Sequence, residues 1–168
     1  MTALDAGSPA PSRSAGAAEA TATPPTPSPA VLDASAVLAW LRDEPGGDVV
    51  DRYLDTAVLS AVNLAEVHQK LAQHGVDADR ATRQLRTLGV RIAPLDTPDA
   101  ITAAKLWPAT RAAGLSLGDR CCLALAARLG GPAVTADTAW TTLEIGVGVV
   151  LIRGSPPGTD RTDRRGPA

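Results

Sequence analysis

Aromatic side chains are almost missing from this chain: Trp40, Trp107, Trp140 and Tyr53 are 2% of its 168 residues, and there is no phenylalanine. Single-stranded nucleic acid is commonly held on several exposed aromatics, so a base-stacking platform is disfavoured. The core must be assembled from Ala, Val, Leu and Ile instead. Cysteine is scarce as well. Cys121 and Cys122 are neighbours inside an apolar run, and adjacent cysteines seldom bridge each other, which argues for a reducing, cytoplasmic compartment. A surplus of positive charge is lacking: the net charge is −2, which excludes a broadly basic nucleic-acid coat. Long apolar runs are lacking too, and the N-terminus has no basic start before an apolar stretch. Neither a membrane span nor a secretory signal is expected. What remains is 45% apolar residues in a length suited to one ordinary domain, enough for a core that needs no staple.

Composition divides the chain into three parts. Residues 1–30 hold six prolines, four serines and four threonines, with Met1 and Leu4 as the only large apolar side chains. Such a segment cannot offset its ordering entropy by burial, and the stretch 153–168 is equally free of core-forming residues. Both are expected to be disordered tails around a domain at 31–152. Within that domain, Ala30-Val31-Leu32 reads as a buried strand followed by a helix through Val37, Leu38 and Leu41. Helices are expected around 48–55 and 61–74, then from Asp77 to Leu88. Val90 to Leu95 reads as a second strand. Thr97, with Pro98 at the first helical position, opens a helix to about Ala113, and Ser116 opens another to Leu129. Ala133-Val134-Thr135 and Ile145 to Ile152 complete the strands. About four short apolar strands separated by helices imply an α/β fold around a parallel, buried sheet.

Four acidic residues stand out by position. Asp33 closes the first strand and Asp137 follows the third; each can simply cap the helix after it. Asp119 lies three residues after Ser116, which is capping-box spacing. Glu66 has Lys70 at i+4, the favoured orientation for a surface ion pair. Taken together, these residues point elsewhere. In an open parallel sheet, ligands bind beyond the carboxyl ends of the strands, where Asp33 and Asp137 both fall and where the helix N-terminus carrying Asp119 would face. Carboxylates crowded into one pocket cannot all ionise without a compensating cation. Mg²⁺ or Mn²⁺ accepts such an oxygen shell. Ser35, Asn63 and Thr135 could orient the carboxylates or hold waters beside them. That donor set suits metal-assisted phosphodiester hydrolysis.

Val31-Leu32-Asp33-Ala34-Ser35-Ala36-Val37-Leu38-Ala39-Trp40-Leu41 resembles the opening motif of PIN-domain ribonucleases, in particular the VapC-type toxins of toxin–antitoxin pairs. Three further segments match in the right order: Ser60 to Val67 (SAVNLAEV), Leu115 to Arg120 (LSLGDR) and Val134 to Asp137 (VTAD). The resemblance implies a PIN-like fold and a metal-dependent endoribonuclease, the toxin of a toxin–antitoxin pair, with Asp33, Glu66, Asp119 and Asp137 as its acidic cluster. Asp33 and Asp119 are the expected direct ligands of Mg²⁺ or Mn²⁺, with Glu66 and Asp137 acting through water or on a second ion. Arg120 could reach a substrate phosphate or form a salt bridge at the site mouth. An antitoxin protein, an RNA substrate and a second copy of the chain are the implied partners. Trp40, on an apolar helix face that is either core or an antitoxin groove, is the residue to anchor such a groove. The competing reading is a PIN-like module that binds and dimerises without cutting.

Other chemistry is poorly supported. His68 and His74 share no ligand spacing with the cysteines, which argues against zinc. Gly46-Gly47 lacks the pattern of a phosphate loop. The two cysteines read as buried structural thiols.

Overall fold

The computed structural model describes residues 28–153; the tail assignments for 1–27 and 154–168 lie outside the described residues. Five short strands form one parallel sheet in the order β3-β2-β1-β4-β5. They are β1 (Val31–Leu32), β2 (Val58–Ser60), β3 (Arg91–Ala93), β4 (Ala133–Thr135) and β5 (Val149–Leu151). Between them run α1 (Ala34–Leu41), α2 (Gly47–Asp51), α3 (Ala61–Ala72), α4 (Ala78–Thr87), α5 (Thr97–Lys105), α6 (Trp107–Thr110) and α7 (Leu117–Leu129). The strand at the centre is β1, whose Leu32 is in register with Leu59 of β2 and Val134 of β4.

Strand side chains alternate between faces, and here the alternation sorts the core into two. Leu32, Leu59 and Val134 pack with Val37 of α1, Val50 of α2, Val67 and Leu71 of α3 and Leu85 of α4. Val31, Val58 and Ala133 face the other way, onto Cys122, Leu123, Leu125 and Ala126 of α7 and the fully buried Trp140. Helices therefore cover both faces, which is why the central strands are apolar on both sides. Both cysteines are buried and free, as expected of structural thiols.

The expected α/β class with a parallel sheet holds, but the strand count rises to five because of β2. Its three residues lie in the gap between two expected helices, and no alternation is readable over so short a run. Pairing with β1 on one side and β3 on the other makes it a strand. The helix expected over 97–113 is broken into α5, α6 and a 3-10 turn at Arg111–Ala113. Pro108 explains the break: it lacks the N–H that a continuous helix needs, and it sits in the first turn of α6. Asp96, rather than Thr97, caps α5, accepting from the Asp99 N–H. Ala30, placed at the end of the tail by composition but in a buried run by pattern, is buried, and its carbonyl accepts from Val58 N–H. Gly46 enters α2 in the left-handed conformation (φ +93°), and an added Cβ there would lie 2.3 Å from the Ile152 carbonyl oxygen, so a side chain is excluded on two grounds. Among the described residues no helix is long and apolar enough to cross a membrane.

Candidate active site

A parallel sheet delivers the ends of all its strands to one edge, and Asp33 stands there as the first residue beyond the central strand. Its backbone is still extended, so it caps α1, with its Oδ2 accepting from Ser35 N–H at 3.2 Å. The same oxygen accepts from the Ser35 hydroxyl at 2.5 Å and the Thr135 hydroxyl at 3.1 Å. Its Oδ1 accepts from Asn63 Nδ2 at 3.2 Å. An ordinary cap faces water, whereas Asp33 is 3% exposed. Burial pushes its carboxyl above the usual carboxylate range; the nearby Asp119 charge adds to that, against the lowering effect of the Ser35 and Thr135 hydrogen bonds.

Asn63 is the joint between elements. It is fully buried in the first turn of α3, where its N–H donates to Ser60 Oγ at 3.0 Å and its Oδ1 accepts from the same hydroxyl. Its amide then reaches both Asp33 and, at 3.3 Å, the Gly118 carbonyl. One side chain thus ties β1, α3 and the start of α7 together. Glu66 follows one turn later on α3 and is partly exposed. Its carboxyl is raised by burial and then by the charges of Asp33 and Asp119, with Lys70 opposing. The expected Glu66–Lys70 ion pair is not among the salt bridges of the described residues. Gly118 explains how α3 and α7 approach so closely: a Cβ there would lie 3.0 Å from Glu66 Oε2. Its place in the Leu115–Arg120 segment was visible in the sequence, but this spacing role was not.

Asp119 completes the capping box of α7. Its Oδ2 accepts from Ser116 N–H at 2.6 Å while its own N–H donates to Ser116 Oγ at 3.2 Å. Asp137 caps a 3-10 turn, accepting from Ala139 N–H at 2.9 Å, and is exposed. Its backbone N–H donates to Thr135 Oγ1, which links it to the Asp33 network. Its charge is not among those acting on Asp33 or Glu66. Arg120 is turned away from the carboxylates, onto the carbonyls of Ala103 at 3.2 Å and Leu115 at 2.8 Å. It braces α5 and the entry to α7. Trp40 is half-buried against the first core, with its indole N–H donating to Asp51 at 2.6 Å. His68 pairs with Thr82 and His74 with the Lys70 carbonyl, so neither is drawn toward the acids.

Three carboxylates on three elements therefore act on one another electrostatically, one of them buried. As the side chains stand, no three His, Cys, Asp or Glu among the described residues converge as a metal-holding group, and Asp119 is engaged in its capping box. The donor chemistry nevertheless fits a hard divalent cation: the donors are oxygens only, and their mutual repulsion is what such an ion relieves.

The PIN domain family model matches residues 30–145, spanning β1, every acidic residue above and the loop before β5. The chain belongs to the PIN domain family. Among solved structures, the fold is similar to FitAcB from Neisseria gonorrhoeae, at 25% identity and a TM-score of 0.57, covering 73% of this chain and 97% of that one. It is similar to a toxin–antitoxin complex from Klebsiella pneumoniae, at 17% identity and a TM-score of 0.57 over 74% of this chain and 98% of that one. A third likeness is to Mycobacterium tuberculosis VapC20, described as a Sarcin-Ricin loop cleaving toxin, at 15% identity and a TM-score of 0.56 over 67% and 92%. No curated protein matches the sequence. In this PIN domain, the helices packed on both faces of β1 hold the strand so that Asp33 stands at the sheet edge.

Proposed function

We propose that this PIN domain is a metal-dependent endoribonuclease acting as the toxin of a toxin–antitoxin pair. The observation that carries the reading is the burial of Asp33 at the end of the central strand, within electrostatic reach of Asp119 and Glu66. A carboxylate kept from water beside two others is an arrangement that folding alone would avoid. Asp33 and Asp119 would hold Mg²⁺ or Mn²⁺ directly, with Glu66 and Asp137 acting through water or on a second ion. When bound, the cation supplies positive charge to a phosphoryl oxygen and lowers the pKa of a water. The chain's own contribution is orientation. Ser35 and Thr135 fix one oxygen of Asp33, Asn63 fixes the other, and Gly118 lets Glu66 lie against α7.

An antitoxin partner is supported by the similar solved structures that are toxin–antitoxin complexes. A concave surface of about 310 Å³ fits an amphipathic segment: Leu41, Leu71, Val76 and Ala81 form an apolar floor, and Arg42 and Arg80 stand beside it. Trp40 is not part of that lining, although its chain neighbours Leu41 and Arg42 are. Homodimerisation belongs to the same reading and is checked by light scattering of the purified chain.

The test is cleavage of RNA by the purified protein with Mg²⁺ or Mn²⁺, with EDTA, and with Asp33→Asn. Cleavage should require the cation and disappear in the variant. Cleavage that survives EDTA overturns the metal assignment. No cleavage with either ion would leave the binding and dimerisation module as the better reading.

A further inference from the structure

Two concave surfaces reach the residues around Asp33, and their charges differ. One is lined by Ser35, Arg42, Glu44, Asp137 and Arg153, and both of its arginines are paired with Glu44. The other, of about 430 Å³, is bordered by Glu66, Gln69, Lys70, Leu117 and Gly118. Lys70 enters none of the ion pairs of the described residues, although its charge is felt at Glu66. Beside it stands Leu117, a large apolar side chain left 58% exposed on the first turn of α7. A polyanion approaching three carboxylates is repelled, so a substrate strand needs a fixed cation near its point of entry that is not already neutralised. Arg120 is engaged by backbone carbonyls and Arg128 by Asp99, and Lys70 is the one basic residue lining this surface, which gives it that part.

Resting on the ribonuclease reading, we infer that this second surface seats the nucleotide adjoining the scissile phosphate, with Lys70 on its phosphate and Leu117 against its sugar and base. The seat is aliphatic, in keeping with a chain so poor in aromatics, and Gln69 and Ser116 are its neutral polar side chains. Binding there is driven by backbone charge and apolar contact, and it tolerates different bases.

The experiment is fluorescence anisotropy of a labelled short oligoribonucleotide with the full chain in EDTA, across a salt series. The proteins compared are the wild type, Lys70→Ala, Lys70→Arg, Leu117→Ser and Arg42→Ala. Lys70→Ala should weaken binding about fivefold near 0.1 M salt and flatten the log–log salt dependence by about 0.7, the loss of one phosphate contact on a single strand. Lys70→Arg should restore both. Leu117→Ser should weaken binding about threefold with the salt slope unchanged, and Arg42→Ala should bind as the wild type does. Unchanged affinity in Lys70→Ala, an equal loss in Arg42→Ala, or no binding by the wild type overturns the inference. The two ideas fail separately. If this pattern holds while no cleavage is seen with Mg²⁺ or Mn²⁺, the nucleotide seat stands and the nuclease chemistry falls.

Discussion

Replacing Asp119 with asparagine separates its two roles, because the side chain both closes a capping box and places charge beside Asp33 and Glu66. Asparagine keeps an oxygen that can accept from Ser116 N–H, so the cap survives in neutral form. The variant loses the favourable interaction of a carboxylate with the N-terminus of α7, about 0.5 kcal/mol. It gains relief from like-charge repulsion on a buried carboxylate, a contribution of similar size and opposite sign. Stability in urea should therefore stay within about 1 kcal/mol of the wild type. Asp119→Ala removes the acceptor as well and should cost about 1 kcal/mol more. Ribonuclease activity should fall by on the order of 10²-fold in both, since neither side chain offers a charge to a cation. The pH dependence adds an independent check, made in EDTA. Burial and then neighbouring charge raise Asp33 above 3.8 and Glu66 above 4.5, so the native state holds more protons than the unfolded state. Their contribution to stability is complete below those ordinary values and is lost as pH rises through the folded ones. Asp119→Asn lowers the folded values, and its loss of stability as pH rises above those ordinary values should be shallower than the wild type's. Activity retained above a tenth in Asp119→Asn, with stability lost, would reduce Asp119 to a cap and refute the reasoning.

Millimolar Mg²⁺ or Mn²⁺ should raise the melting temperature, by about 3 °C if the ion is at tenfold its dissociation constant, and Asp33→Asn should abolish the shift; no shift with either ion counts against a shared carboxylate site. Gly118→Ala should fold, because only the mobile end of Glu66 must move from the 3.0 Å approach, but cleavage should drop about tenfold as that carboxylate is displaced; an unchanged kcat would show that the position of Glu66 does not matter. Arg128→Met leaves the buried Asp99 without the guanidinium that holds both its oxygens at 2.8 Å, and a urea melt should lose about 2 kcal/mol, less than for a fully buried pair because Arg128 is 41% exposed.

Much of the fold could be read from local pattern, and the exceptions have a common cause. The Val31-Leu32-Asp33 strand end, the capping box of Ser116 and Asp119 and the apolar run of α7 are all signals carried within a few residues. β2 carries none. Its identity comes from partners 27 and 33 residues away, Val31 and Arg91, and no window along the chain contains both. Arg120 illustrates the same limit in a side chain. Its place next to Asp119 suggested the site mouth, but Ala103 and Leu115, brought near by the α5–α7 packing, supply two carbonyls that hold it elsewhere.

The acids pose a sharper question, because cap and ligand ask for the same residue in the same place. A helix start needs acceptors for its free N–H groups, and Asp33 and Asp137 provide them as caps beyond strand ends while Asp119 closes the capping box of Ser116. Spacing cannot distinguish a cap that is only a cap from one that also serves chemistry. Burial and the number of donors can. Asp137 is exposed, and its carboxylate accepts one hydrogen bond, which is all that capping requires. Asp33 is buried and receives four, from the Ser35 N–H and hydroxyl, Thr135 and Asn63, and two like charges stand near it. Capping could be met at a fraction of that desolvation cost by the neutral Ser that serves at α3 and α7. A charge retained in a buried, repulsive position that a hydroxyl could fill is therefore under a demand other than folding. Asp33→Ser makes the point measurable: it should cap α1 as Ser60 caps α3, leave the chain at least as stable in EDTA, and lose both the metal-induced melting shift and RNA cleavage. A variant that still cleaves would remove Asp33 from the centre of the site.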